Sequence, residues 1–248
     1  MPSHFSSIGF NIASEEDLIR VTQSLLETAV DVACFYGRYR KWSQDGIEMW
    51  LHFNEKNEFI GITPAYTATS SIAVALTKEI ENDYPFDGTF HAWLNPQGEE
   101  PDSGDFPFVF DIPDRACFAE LELPKLTHMN LSAFAHNLSV FEDEQSFYDS
   151  QTEEPSFAVE SFIPSGLFVD EGASDNQPSA MAFFTGRVVA SECKTNPMTG
   201  LEFFWAKIKT LGCELDIVVD PALCESLPAP GHIVSGSFWL CGSFMKGL

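Results

Sequence analysis

Leu201-Glu202-Phe203-Phe204-Trp205-Ala206-Lys207-Ile208-Lys209-Thr210-Leu211-Gly212-Cys213-Glu214-Leu215-Asp216-Ile217-Val218-Val219 reads as two strands joined at Leu211-Gly212. Aromatic and β-branched residues fill both runs, and glycine supplies the backbone freedom of a tight turn. Upstream, Met181 to Ser191 is a further strand, and Lys194-Thr195-Asn196-Pro197-Met198-Thr199-Gly200 is the hairpin loop leading into the pair. Downstream, Asp220-Pro221 opens a short helix, with Asp as N-cap and Pro at the first helical position. Pro228-Ala229-Pro230-Gly231 ends that unit, and Ile233 to Phe244 is a last long strand.

Further toward the N-terminus, Ser14 is a good N-cap, and Leu18, Val21, Leu25, Leu26 and Ala29 recur at helical spacing behind it. Residues 4–12 read as a strand before this helix. Val30 to Trp42, Ile47 to Phe53, Glu58 to Ile62 and Ser71 to Leu76 read as strands after it, with Asp45-Gly46 as a strong turn. Gly88 to Leu94 and Pro107 to Asp111 follow, separated by a Pro/Gly/acid loop. Residues 126–141 fit both a helical and an alternating pattern; a strand ending near Phe141 and a short helix over 143–150 are expected. Residues 170–179 hold no large apolar side chain and read as a linker, dividing the chain into an acidic α+β part over 1–170 and a β part over 180–248.

Charge is concentrated in the middle. The chain carries 37 Asp plus Glu against 13 Lys plus Arg, a formal net charge of −24. Residues 81–175 alone hold 21 of the acids and only two bases, Arg115 and Lys125. The densest stretches contain Glu99, Glu100, Asp102 and Asp105, then Glu142, Asp143 and Glu144. They read as solvated loops, as a docking surface for a basic partner protein, or, through Asp102, Asp105 and Asp111, as oxygen ligands for calcium without EF-hand spacing. The charge opposes a broad contact with nucleic acid or an anionic membrane.

The order of elements over 180–248 resembles an OB-fold barrel, with Pro230-Gly231-His232-Ile233-Val234-Ser235-Gly236-Ser237-Phe238-Trp239-Leu240 as the strand after its helix. Only four strands are present there, so either a fifth comes from the N-terminal part or the barrel is incomplete. Together with the pattern of strands and helix before it, this resemblance gives an expected fold class of α+β, mainly antiparallel β, in which an N-terminal β-α-β-β-β(β) unit precedes a small OB-like β-barrel. It also implies a face for single-stranded nucleic acid, for which Phe203, Trp205, Lys207 and Lys209 share one side of their strand. The small local net charge and the acidic neighbouring section favour core packing as the use of this face. The opening His4-Phe5-Ser6-Ser7-Ile8-Gly9-Phe10, the run Phe162 to Phe168 and the hairpin from Thr195 to Trp205 make the whole chain resemble a set of acidic bacterial proteins of unassigned function. The β-α-β-β-β opening resembles half of a glyoxalase-type metal enzyme, which would make His4 and Glu48 or Glu79 its ligands.

Catalytic motifs are absent: the chain contains no GxSxG, HExxH, P-loop or GxGxxG. No CxxC exists, and the six cysteines at 34, 117, 193, 213, 224 and 241 read as buried reduced thiols. His128 and His136 stand too far apart for one metal on either reading of their segment, so no metal and no cofactor are expected. Met1-Pro2-Ser3-His4-Phe5 has no basic region and no long apolar region, so no signal peptide is read there and the cytoplasm is the expected compartment. The function expected is a non-catalytic binding protein whose acidic middle section docks a basic partner. The alternatives are a small-molecule or metal-dependent enzyme and a single-strand binder.

Overall fold

The Ser14 hydroxyl accepts the Asp17 backbone N–H at 3.1 Å and so starts α1 (Glu15–Thr28), with three acids in the first turn to match the helix dipole. The computed structural model describes residues 3–35, 37–81, 87–98, 100–118, 121–152, 156–167 and 177–245. Behind α1 runs an antiparallel meander, β1 (Val30–Val32), β2 (Arg38–Gln44), β3 (Ile47–Phe53) and β4 (Phe59–Tyr66), paired in chain order. Asp45 and Gly46 both take positive φ, 53° and 85°, which suits a tight hairpin turn between β2 and β3.

Two expectations for this region fail. Residues 4–12 are not a strand. A 3-10 turn spans Ser6–Ile8, its amides bonding back to Ser3, Phe5 and Ser6, and Gly9 then turns the chain with φ 77°. Val30 to Trp42 is not one strand either. Gly37, at φ 64°, helps fold it into the β1–β2 pair. The unit is therefore helix followed by meander.

Among the described residues, the second sheet has ten strands. They are β5 (Ser71–Ile80), β6 (Gly88–Leu94), β7 (Pro107–Ile112), β8 (Lys125–Ala135), β9 (Ser139–Phe141), β10 (Ser161–Ile163), β11 (Met181–Thr195), β12 (Glu202–Thr210), β13 (Cys213–Val219) and β14 (Ile233–Phe244). A short helix, α2 (Glu144–Asp149), follows β9 and is capped by Asp143. Eight of the strands close a barrel in the order β5-β6-β7-β14-β11-β12-β13-β8.

A direct antiparallel ribbon between β8 and β14 divides this barrel into two rings. In one, the meander β11-β12-β13 is closed by β14 on β11 and by β8 lying parallel to β13. In the other, the meander β5-β6-β7 is closed by β8 on β5 and by β14 parallel to β7. Each ring has five strands in an OB-like order, and each borrows its fifth from the other. The missing strand of the C-terminal barrel is thus β8. Pairing crosses the expected boundary near 170–180, of which residues 168–176 lie outside the described residues.

Alternation assigns the faces. Val74, Leu76, Phe90, Ala92, Phe108, Phe110, Leu131, Ala133, Phe184, Ile208, Ile217, Phe238 and Leu240 point inward to one continuous core. Phe184 and Phe238 stack there at 3.9 Å between ring centroids. The opposite residues of the same strands, Val109, Phe134, Phe203, Val218, Trp239 and Cys241, pack under the meander, α1 and the turn at Ser6–Ile8. Among the described residues, no helix is long and apolar enough to cross a membrane.

Candidate functional site

The layer between the meander and the barrel sets polar and ionisable groups among its apolar contacts. One face of the meander turns Tyr39, Lys41, Glu48, Trp50, His52 and Thr63 to one side, because these positions lie opposite one another across β2, β3 and β4. Tyr39 accepts the Ala116 N–H at 3.3 Å, and Thr63 donates to Asp87 at 2.9 Å, so this face meets the barrel. On the barrel side stand Asp87, Asp111 and Asp114. Thr89 donates to Asp111 at 2.6 Å, and so does the Trp239 indole N–H, also at 2.6 Å.

Carboxyls in this seam are driven toward their neutral forms. Burial raises Asp87 to about 8, with added repulsion from Asp111 and Asp114. Burial raises Asp114 to about 6, Glu48 adds to the shift and Lys41 opposes it. Asp111 is raised as well, chiefly by burial. His52, fully enclosed, is pushed down to about 3 by the same cause and stays neutral. Lys41 counters the acids. It pairs with Glu48 at 2.7 Å and lies 4.6 Å from the centre of the Trp50 ring.

The residues singled out from sequence are dispersed. Glu99 lies outside the described residues. Glu100, Asp102 and Glu142 are exposed. Asp105 accepts from Asn95 at 2.8 Å, Asp143 caps α2, and Glu144 pairs with Arg187. The calcium reading has no convergent group among the described residues, and Asp111 is engaged by Thr89 and Trp239. His4, Glu48 and Glu79 do not come together as a metal site: His4 meets His136, Glu48 holds Lys41, and Glu79 holds Arg115 at 2.6 Å.

On β12, Phe203 is fully buried beside Tyr66, 6.1 Å between ring centroids, so the face proposed for stacking bases is partly core. Trp205 donates to Asp216 at 3.0 Å and carries the Lys194 ammonium 5.6 Å from its ring centre. Lys209 pairs with Glu160 at 3.2 Å, and Lys207 is half-buried. Beside this strand a cleft of about 540 Å³ opens between the β2–β3 turn and β11, lined by Asp45, Glu192, Cys193, Lys194 and Phe203. All six cysteines are free thiols; Cys241 is buried, four are half-buried, and Cys193 is exposed on β11.

Sequence reasoning missed Asp87, Asp111, Asp114 and His52 as a group. Nothing in their spacing marks them, since His52 comes from the meander and the acids from the ends of two barrel strands. No family model, curated protein or solved structure matches this chain.

Proposed function

We propose that this chain is a non-catalytic binding protein that docks a basic partner protein through its acidic surface. The placement of the acids carries the reading. Glu100, Asp102, Glu142 and Asp143 stand exposed outside a barrel whose interior is filled with apolar side chains. A fixed negative surface steers basic proteins and repels nucleic acid. An inhibitor or a nucleic-acid mimic is the extreme form of this role. Poly-lysine serves as the probe: association should be fast at low salt and fall steeply as salt screens exposed charges beyond about 8 Å. Replacing Glu100, Asp102 and Glu142 by their amides should slow association with little change in dissociation. Binding that ignores both salt and the triple variant would defeat the reading.

A specific observation favours a second reading, an enzyme acting in the seam. A carboxyl held protonated near neutral pH, as Asp87 is, suits a general acid. A substrate screen comparing the native chain with Asp87→Asn tests it, and activity equal in the two would remove Asp87 from that role. Single-strand binding has less support, because Phe203 is buried and Lys209 is paired.

A further inference from the structure

Two histidines 132 residues apart in the chain meet at the edge of the barrel, Nε2 to Nε2 at 2.6 Å. Their ring planes are only 21° apart, with centroids at 4.9 Å, so the rings lie edge to edge and share one N–H···N bond. Each is held independently of that bond. His4 stacks on Trp239 at 4.2 Å with planes 12° apart and meets the edge of Phe134 at 5.9 Å. Trp239 is itself anchored by its bond to Asp111. His136, just past the end of β8, donates its backbone N–H to Ser237 O at 2.9 Å, while Asn137 accepts the Ser237 N–H at 3.0 Å.

We infer that His4 and His136 form a two-histidine site for a borderline-soft divalent metal ion of the zinc type. Imidazole nitrogens bind zinc at about 2.0–2.1 Å, which puts two of them about 3.3 Å apart on a tetrahedral ion. The contact must therefore open by about 0.7 Å from its present 2.6 Å, and the exposed His136 ring has room to swing. One Nε2 carries the shared proton. On binding, that proton passes through solvent to Nδ1 of the same ring, the freed lone pair goes to the metal, and the ring stays neutral. Two protein nitrogens are fewer than the three of a catalytic zinc site, and no third His, Cys, Asp or Glu joins them among the described residues, so the remaining positions fall to water and the ion is held weakly and exchangeably.

The net charge of −24 raises the local concentration of any cation. This reading is independent of the docking role. It departs from the expectation that no metal would bind, an expectation drawn from spacing along the chain alone.

The test is a calorimetric titration of the full chain with zinc at pH 7, in excess magnesium so that oxygen-rich surface sites are filled. One saturable site is expected. It should vanish in His136→Ala and in His4→Ala and persist in His128→Ala, whose ring is also exposed. Zinc should also slow hydrogen exchange at the Ser7, Ile8 and Gly9 amides of the turn that follows His4, and should not do so in His136→Ala. Because His136 is exposed, its variant decides the matter even if His4→Ala loosens the N-terminal segment. Zinc binding unchanged by His136→Ala, or no saturable site in the native chain, overturns the proposal.

Discussion

Asp111 and Asp216 occupy the same place in the two rings of the barrel. Asp111 lies beside Cys241 in the β7–β14 pair, Asp216 lies beside Ser132 in the β13–β8 pair, and Cys241 faces Ser132 across the central ribbon. Each carboxylate takes an indole N–H, from Trp239 at 2.6 Å and from Trp205 at 3.0 Å. Their surroundings then diverge. Asp216 has no exposed surface and also collects the Thr69 N–H and the Ser70 hydroxyl, each at 2.8 Å. Asp111 accepts from Thr89 besides its indole and sits among other acids.

Replacing Asp216 by Asn should therefore destabilise the fold. The amide keeps one acceptor oxygen and turns an NH2 group toward donors, which leaves buried groups without partners at a cost of about 1–3 kcal/mol. The urea midpoint measures this, and a midpoint equal to that of the native chain would show that Asp216 holds nothing.

The opposite sign is expected for Asp87→Asn. In the folded chain Asp87 keeps its proton up to about pH 8, whereas unfolded it releases it near 3.8. Its contribution is fully present below 3.8 and is lost as pH rises toward 8, by at most about 1.4 kcal/mol per pH unit. The Asn variant has no proton to lose. Its melting temperature should pull ahead of the native chain as pH rises from 4 to 8 and keep a constant lead beyond. Parallel curves over that range would place Asp87 in solvent.

Gly186 on β11 has no room for a side chain. A Cβ there would run into Ile208 Cγ2 and stand 2.6 Å from Lys209 O, both on the paired strand β12. Gly186→Ala should cost about 1–3 kcal/mol through overpacking. Thermal melting reads the loss, and an unshifted transition would mean that β12 can move aside freely.

Residues 177–248 expressed alone should not fold. Without β8, the edge of β13 that binds Ser132 to Phe134 is open, and β14 loses its partner along the central ribbon. Amide chemical-shift dispersion would report this, with recovery on co-expression of the preceding residues. A folded, monomeric 177–248 fragment would show that one ring closes unaided.

Much of the local structure was legible. Ser14 and the apolar repeat behind it located α1. Asp45-Gly46 and Leu211-Gly212 located hairpins, and Asp220-Pro221 located its short turn with Asp220 as cap. Each of these signals is complete within a few residues, because caps, turns and alternation act on neighbouring backbone groups. The misreading of 4–12 has the same root. Phe5, Ile8 and Phe10 have the apolar content of a strand, but Ser3 and Ser6 bond their own backbone and hold a turn instead.

What the sequence by itself determined, then, is a mainly antiparallel β chain, the long helix α1 and an acidic middle. Which strand closes which ring was decided by tertiary structure. β8 and β14 each have two edges to fill and one apolar face to bury, and only the assembled sheets select their partners. The acids of the seam and the His4–His136 pair were decided in the same way. Asp87, Asp111 and Asp114 shift because the meander covers them, and His4 reaches His136 because Trp239, on a third segment, offers it a flat surface. Burial and proximity of this kind depend on distances in space, which spacing along the chain does not encode.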